Sequence, residues 1–222
     1  TCLIEPFLGY LKAGSFRLSS GEGAKSIVFS DPIGYINART HTGQPEHFLG
    51  FKETFRMRGD ALLRNVAFLK NNCDNGVQTL AIVRDPRAVW CSILERRGAS
   101  HGERPHPSFA EEWNELIDWV REEKLFYVRY EDLVTDPEAH VKRVYAELGL
   151  GFAKHLLELP PKHGHGDKKA QIGGRIRDGS LGKYRRLPAG VLRSIEAACA
   201  ENMGRMGYKT DRTEADQSHG NR

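Results

Sequence analysis

The residues with the clearest chemical arrangement lie in TLAIVRDPRAVWCSILERR, residues 79–97. Leu80, Ala81, Ile82 and Val83 form an unbroken apolar run, the pattern of a short strand covered on both faces. Asp85 supplies a helix cap, and Pro86 suits the first helical position, where its missing N–H is not needed. Val89, Ile93 and Arg96 with Arg97 then follow at helical spacing. Arg84 therefore stands where strand passes into helix, beside a row of free backbone N–H groups, the place where an open α/β sheet holds an anion. Ser92, two turns into the helix, brings a hydroxyl to the same anion. A capped helix carrying a surface arginine is the alternative meaning of these residues.

Two other stretches supply elements to stand beside that joint. LFYVRYEDLVTDPEAHVKRVYAELGL, residues 125–150, opens with a second buried strand, Leu125–Tyr130. Thr135, Asp136, Pro137 and Glu138 make a helix start with a cap, a first-position proline and an early acid. Val141, Val144, Tyr145 and Leu148 share one face of that helix, and Gly149 ends it. Glu131 and Asp132 are expected in a structural salt-bridge cluster with Arg129. IRDGSLGKYRRLP, residues 176–188, combines two glycines with four basic residues, so that its backbone is able to approach a phosphate closely.

RDPRAVWCS resembles the 3′-phosphate-binding motif of sulfotransferases that use 3′-phosphoadenosine 5′-phosphosulfate (PAPS), above all the carbohydrate sulfotransferases of the Golgi. The resemblance implies that Arg84 and Ser92 bind the nucleotide's 3′-phosphate. The RYEDL stretch resembles the segment that follows this motif in the family, which implies that Tyr130 contacts the adenine. Residues 176–188 resemble the RKGxxGDWK loop of cytosolic relatives and the shorter G-x-W-R segment of carbohydrate ones. By that match Arg177 and Gly179 close over the 3′-phosphate, while Asp178, Lys183 and Tyr184 replace the family's lysine, aspartate and tryptophan. Val191–Tyr208, with Ile195, Cys199 and Met203, resembles the family's final helix. The implied fold is α/β, a P-loop-like parallel sheet flanked by helices. It fills a partial domain over 1–208, followed by a polar tail at 209–222.

The family's loop for the 5′-phosphosulfate, a strand followed by R-S-G and two hydroxyl residues, has no counterpart. Gly21–Lys25 is glycine-rich but follows no strand, and reads as a loop. The opening TCLIEPFLGYL resembles the segment just after the family's first helix, and the first residue is Thr1. The expectation is an N-terminally truncated enzyme, cut after the 5′ loop. Without that loop's preorganised donors, sulfate transfer should be extremely slow or absent.

Transfer of a sulfuryl group requires an acceptor hydroxyl, a base for its proton and positive charge on the leaving side. Glu5, in IEPF, matches a family glutamate near the sulfate end of the donor, with a cap or salt bridge as its alternative role. Glu53, in FKET, ends a candidate strand and is the second possible base. Lys52 matches a family lysine and would stabilise charge on the sulfuryl group, while Thr54 stands where cytosolic relatives have histidine. No metal is required. His163 and His165 are read as part of a histidine-rich lid rather than as ligands.

The 222 residues suffice for one ordinary domain with a core. Charged residues make up 28%, mean hydropathy is −0.53 and no apolar run approaches the roughly 20 residues of a membrane span. Net charge +4 suits a nucleotide polyanion and does not call for nucleic acid. Cys2, Cys73, Cys91 and Cys199 form neither a CxxC pair nor a zinc spacing, and Cys91 and Cys199 are expected as packed thiols. Short strands are expected at 26–29 and 48–52, helices at 59–69 and 109–123, and loops at 41–45, 100–108 and 162–169 that would face the acceptor. The acceptor implied is a glycan or a small hydroxyl compound, and the oligomeric state stays open. By resemblance the compartment is the Golgi lumen, as part of a type II membrane protein, with bacterial cytoplasm as alternative. A non-catalytic nucleotide- or glycan-binding remnant is the competing function. Another P-loop-type transferase would need a Walker lysine and a magnesium-binding acid, neither of which is visible.

Overall fold

The computed structural model describes residues 3–4, 16–18, 27–29, 50–51, 70–71, 78–159, 174–176 and 178–210. The chain divides into two units, one of residues 1–79 with 160–174, the other of 80–159 with 175–222. In the first unit β1 (Leu3–Ile4), β2 (Phe16–Leu18), β3 (Ile27–Phe29) and β4 (Gly50–Phe51) make one sheet in the order β3-β2-β1-β4. β1 runs antiparallel to β2 and parallel to β4, and β2 runs antiparallel to β3, so this sheet is mixed. β3 and β4 fall inside the strands expected at 26–29 and 48–52. The helix expected at 59–69 lies outside the described residues.

The second unit is built on two parallel strands, β5 (Leu80–Val83) and β6 (Phe126–Arg129), in register from Leu80 opposite Phe126 to Val83 opposite Arg129. Parallel pairing fits the helical crossover between them. The strands are not covered on both faces as their apolar runs suggested. Ala81, Val83 and Val128 point into the core, whereas Ile82 is 56% and Tyr127 37% exposed. Side chains alternate across a strand, so one face is packed and the other is open. Tyr130, expected as the last strand residue, instead opens a short helix.

Among the described residues, five α-helices belong to this unit: α1 (Pro86–Arg97), α2 (Pro107–Glu122), α3 (Tyr130–Thr135), α4 (Pro137–Glu147) and α5 (Ala189–Arg205). Their ends follow the local chemistry. Asp85 Oδ1 accepts the Arg87 N–H at 2.9 Å, Pro86 fills the first position of α1, and Gly98 ends it with φ 64°. Asp136 accepts the Ala139 N–H at 3.2 Å above Pro137. α2 begins at Pro107, two residues before the expected start, because His106 Nδ1 takes the Ser108 N–H at 3.3 Å.

The core joins Trp90 and Leu94 of α1, Trp113 and Ile117 of α2 and Ile195, Cys199 and Met203 of α5. Val83, Met206 and Tyr208 close it. Ile117 is the fully buried residue on its turn. Each large apolar side chain so buried is worth about 1.5–3 kcal/mol. The core thus fixes α1 against β5, and with it the joint that carries Arg84.

Candidate functional site

Arg84 leaves the end of β5 with its carbonyl held by the indole N–H of Trp113, at 3.0 Å. Its side chain turns outward along α1. Nη1 lies 3.5 Å from Ser92 Oγ, a long contact that a phosphate oxygen could replace. The guanidinium carbon sits 4.5 Å from the centre of the Tyr130 ring, in a cation–π stack. The Tyr130 hydroxyl is 2.8 Å from Ser180 Oγ. Three residues named from sequence, Arg84, Ser92 and Tyr130, therefore converge. Ser180 joins them from the basic loop and was missed, although its place beside Gly179 was a usable signal. Arg84 Nε is buried without a hydrogen-bond partner among the described residues. A buried donor left unmade costs about 1–3 kcal/mol.

The helix end itself is not open, which corrects the expectation of free N–H groups there. The Asp85 N–H donates to Glu131 Oε1 at 3.1 Å, and the Arg87 N–H is taken by Asp85. Beneath them Arg87 is enclosed. It donates to both Asp85 carboxylate oxygens, to Glu196 at 2.6 Å and to the Lys209 carbonyl at 2.9 Å, and it lies 4.4 Å from the Tyr184 ring centre. Burial alone would lower its pKa, but the hydrogen bond and charge of Asp85, with Glu196, outweigh burial and raise it. Glu131 also accepts the Tyr208 hydroxyl at 2.9 Å, and that phenol is pushed far up by burial and then by Glu131. Arg129 holds Asp132 through two bonds of 2.6 and 2.7 Å, which keep its carboxyl below the usual range. Asp132 thus pairs with Arg129 as expected, whereas Glu131, expected in the same salt-bridge cluster, instead accepts the Asp85 N–H and the Tyr208 hydroxyl.

In the basic loop, Gly182 adopts φ 68° and leads into a short 3-10 turn at Lys183–Arg186. Lys183 and Arg186 are paired with Glu95 of α1, at 3.2 and 3.4 Å. The charge facing Ser92 therefore comes from Arg84, not from these loop residues. Gly179 is exposed, and a Cβ built there would meet nothing within 4 Å. Arg177, Glu5, Lys52 and Glu53 lie outside the described residues, as do His163 and His165. Cys91 and Cys199 are buried free thiols, and burial pushes Cys199 up to about 12. Among the described residues no helix is long and apolar enough to cross a membrane.

Residues 77–154 match the model of the sulfotransferase family, a stretch of about a third of the chain that holds both the RDPRAVWCS and RYEDL blocks. The chain is also similar in structure to the sulfotransferase domain from the curacin biosynthetic pathway, with TM-score 0.50 and 18% identity over 75% of this chain. It spans 64% of that domain's length. The α/β arrangement of β5, β6 and their helices is thus that of a sulfotransferase fold. No curated protein matches the sequence.

Proposed function

We propose that this chain provides the 3′-phosphate half of a PAPS site, in a sulfotransferase that delivers a sulfuryl group to a hydroxyl of a carbohydrate or similar acceptor. The observation that supports this most is the meeting of Arg84, Ser92 and Tyr130 beside an unpartnered guanidinium N–H. In this proposal Arg84 and Ser92 hold the 3′-phosphate and Tyr130 lies against the adenine. Arg177 and Gly179 close over the phosphate. PAPS would supply the activated sulfate, and Glu5 or Glu53 would take the acceptor proton while Lys52 steadies the transferring group. A carbohydrate acceptor would place the protein in the Golgi lumen.

Each charge-assisted bond to phosphate is worth about 1.5–3 kcal/mol. The chain should therefore bind 3′,5′-diphosphoadenosine more tightly than 5′-AMP by at least about tenfold. Calorimetric titration with both nucleotides tests this, and equal affinities would overturn it. An assay with labelled PAPS, on this chain and on one extended by a 5′-phosphosulfate loop, separates binding from transfer. Transfer by the extended chain, lost on Glu5→Gln with binding retained, would assign the base.

A further inference from the structure

On α1, Cys91 and Glu95 stand one helical turn apart and so share a face. The chain ends that helix at Gly98 and turns back through Ser100, whose hydroxyl accepts the Gly102 N–H at 3.2 Å. That turn brings His101 to the same face. The thiol of Cys91, a carboxylate oxygen of Glu95 and a ring nitrogen of His101 lie within 4.8 Å of one another. His101 Nε2 is buried and has no hydrogen-bond partner among the described residues, so an imidazole acceptor or donor is held there unused. None of these residues belongs to the Arg84, Ser92, Tyr130 and Ser180 group.

The geometry points to a binding site for a divalent cation of the zinc class, held by Cys91, Glu95 and His101 with a fourth position left to water. Thiolate, imidazole and carboxylate together match the donor preference of zinc. Metal bonds of 2.0–2.3 Å set tetrahedral ligands roughly 3.5 Å apart, so the side chains need to close by about an ångström. Glu95 is the most able to move. Its present partners, Lys183 and Arg186, have side chains 29% and 64% exposed, and ion pairs of that kind hold weakly against a divalent ion. On binding, the Cys91 thiol gives up its bond to the Lys183 carbonyl and releases its proton to solvent. Burial first and then Glu95 hold that thiol's pKa up, and a bound cation would offset both.

The test is a titration of the chelator-stripped full chain with Co²⁺, without nucleotide, so that its outcome is independent of the proposed PAPS site. A saturable thiolate-to-cobalt charge-transfer band, bleached by Zn²⁺, is expected. His101→Ala and Glu95→Gln should each weaken Zn²⁺ binding by at least about tenfold. Cys91→Ser should abolish the band, and Cys199→Ser, in the core, should keep it. Cys91 is buried and its replacement is able to disturb folding, so His101→Ala, checked by circular dichroism, carries the result on its own. No band in the parent chain, a band that survives Cys91→Ser, or affinity unchanged in His101→Ala would overturn the site.

Discussion

Arg84 and Arg87 stand at the same strand–helix joint, and their surroundings are opposite. Arg87 points inward and is saturated, with carboxylates on two sides, a carbonyl and an aromatic ring around it. Arg84 points outward to a tyrosine face and a serine hydroxyl, with no anion beside it and one buried N–H unused among the described residues. A charge that its own fold neutralises is part of the architecture. A charge that the fold positions and leaves without an anion is available to a ligand. The contrast separates the two arginines of one RDPR stretch more sharply than their types could.

The largest effect should come from the inward side. Glu196→Ala removes one carboxylate from a buried arginine, and breaking such a pair costs about 3–5 kcal/mol. Denaturant midpoints should fall accordingly, while nucleotide affinity of the folded fraction stays within about twofold of the parent. A stability change under about 1 kcal/mol would show that Asp85 alone satisfies Arg87.

Next is Arg84→Ala. Affinity for 3′,5′-diphosphoadenosine should drop roughly ten- to a hundredfold, or about 1.4–2.8 kcal/mol. Folding stability should move by less than about 1 kcal/mol, because the side chain makes no ion pair among the described residues. Arg84→Lys should not restore binding, since an ammonium lacks the planar fork that stacks on Tyr130. Destabilisation as large as that of Glu196→Ala would erase the contrast between the two sides.

Smaller still is the Tyr130–Ser180 hydrogen bond. Tyr130→Phe keeps the stack on Arg84 and loses this bond, for about 0.5–1.5 kcal/mol. Ser180→Ala should match it, and the double variant should be no worse than either single one. Additive losses in a double-mutant cycle would mean that the two hydroxyls act separately.

The smallest effect concerns pH. Arg129 depresses the Asp132 pKa below its ordinary value of 3.8, so the pair stabilises the fold fully above about pH 4. That contribution is lost as pH falls through the lowered folded-state value. Asp132→Asn should flatten this acid limb in a urea-midpoint profile and lower stability slightly at neutral pH, because the pair is partly exposed. An unchanged acid limb would remove Asp132 from the structural cluster.

Much of this joint was legible because its signals are local. Asp85 and Pro86 start α1 through bonds and dihedrals within a few residues of themselves. Arg84 and Ser92 share a side because the helix between them has a fixed pitch. The positions that misled are those where a local pattern has two meanings. The run Leu80–Val83 has no alternation, so it could not tell one covered face from two, and Ile82 proves exposed. Tyr130 continues an apolar strand in sequence, yet the backbone turns helical there. The basic loop looked available to phosphate, but Glu95 already holds Lys183 and Arg186.

Sequence alone determined the strand–cap–helix joint and the residue types that could meet a phosphate, since propensity, capping and helical period act over a few residues. Tertiary structure decided which charges would be spent. Glu196 reaches Arg87 from 109 residues away, Glu131 covers the Asp85 N–H from 46, and Ser180 reaches Tyr130 from 50. Such pairings follow from how helices and loops pack around the core, where an unmatched charge is costly and a matched one is inert. Arg84 was left over because packing placed its backbone against Trp113 and its side chain outside the core, beside Tyr130 and Ser92.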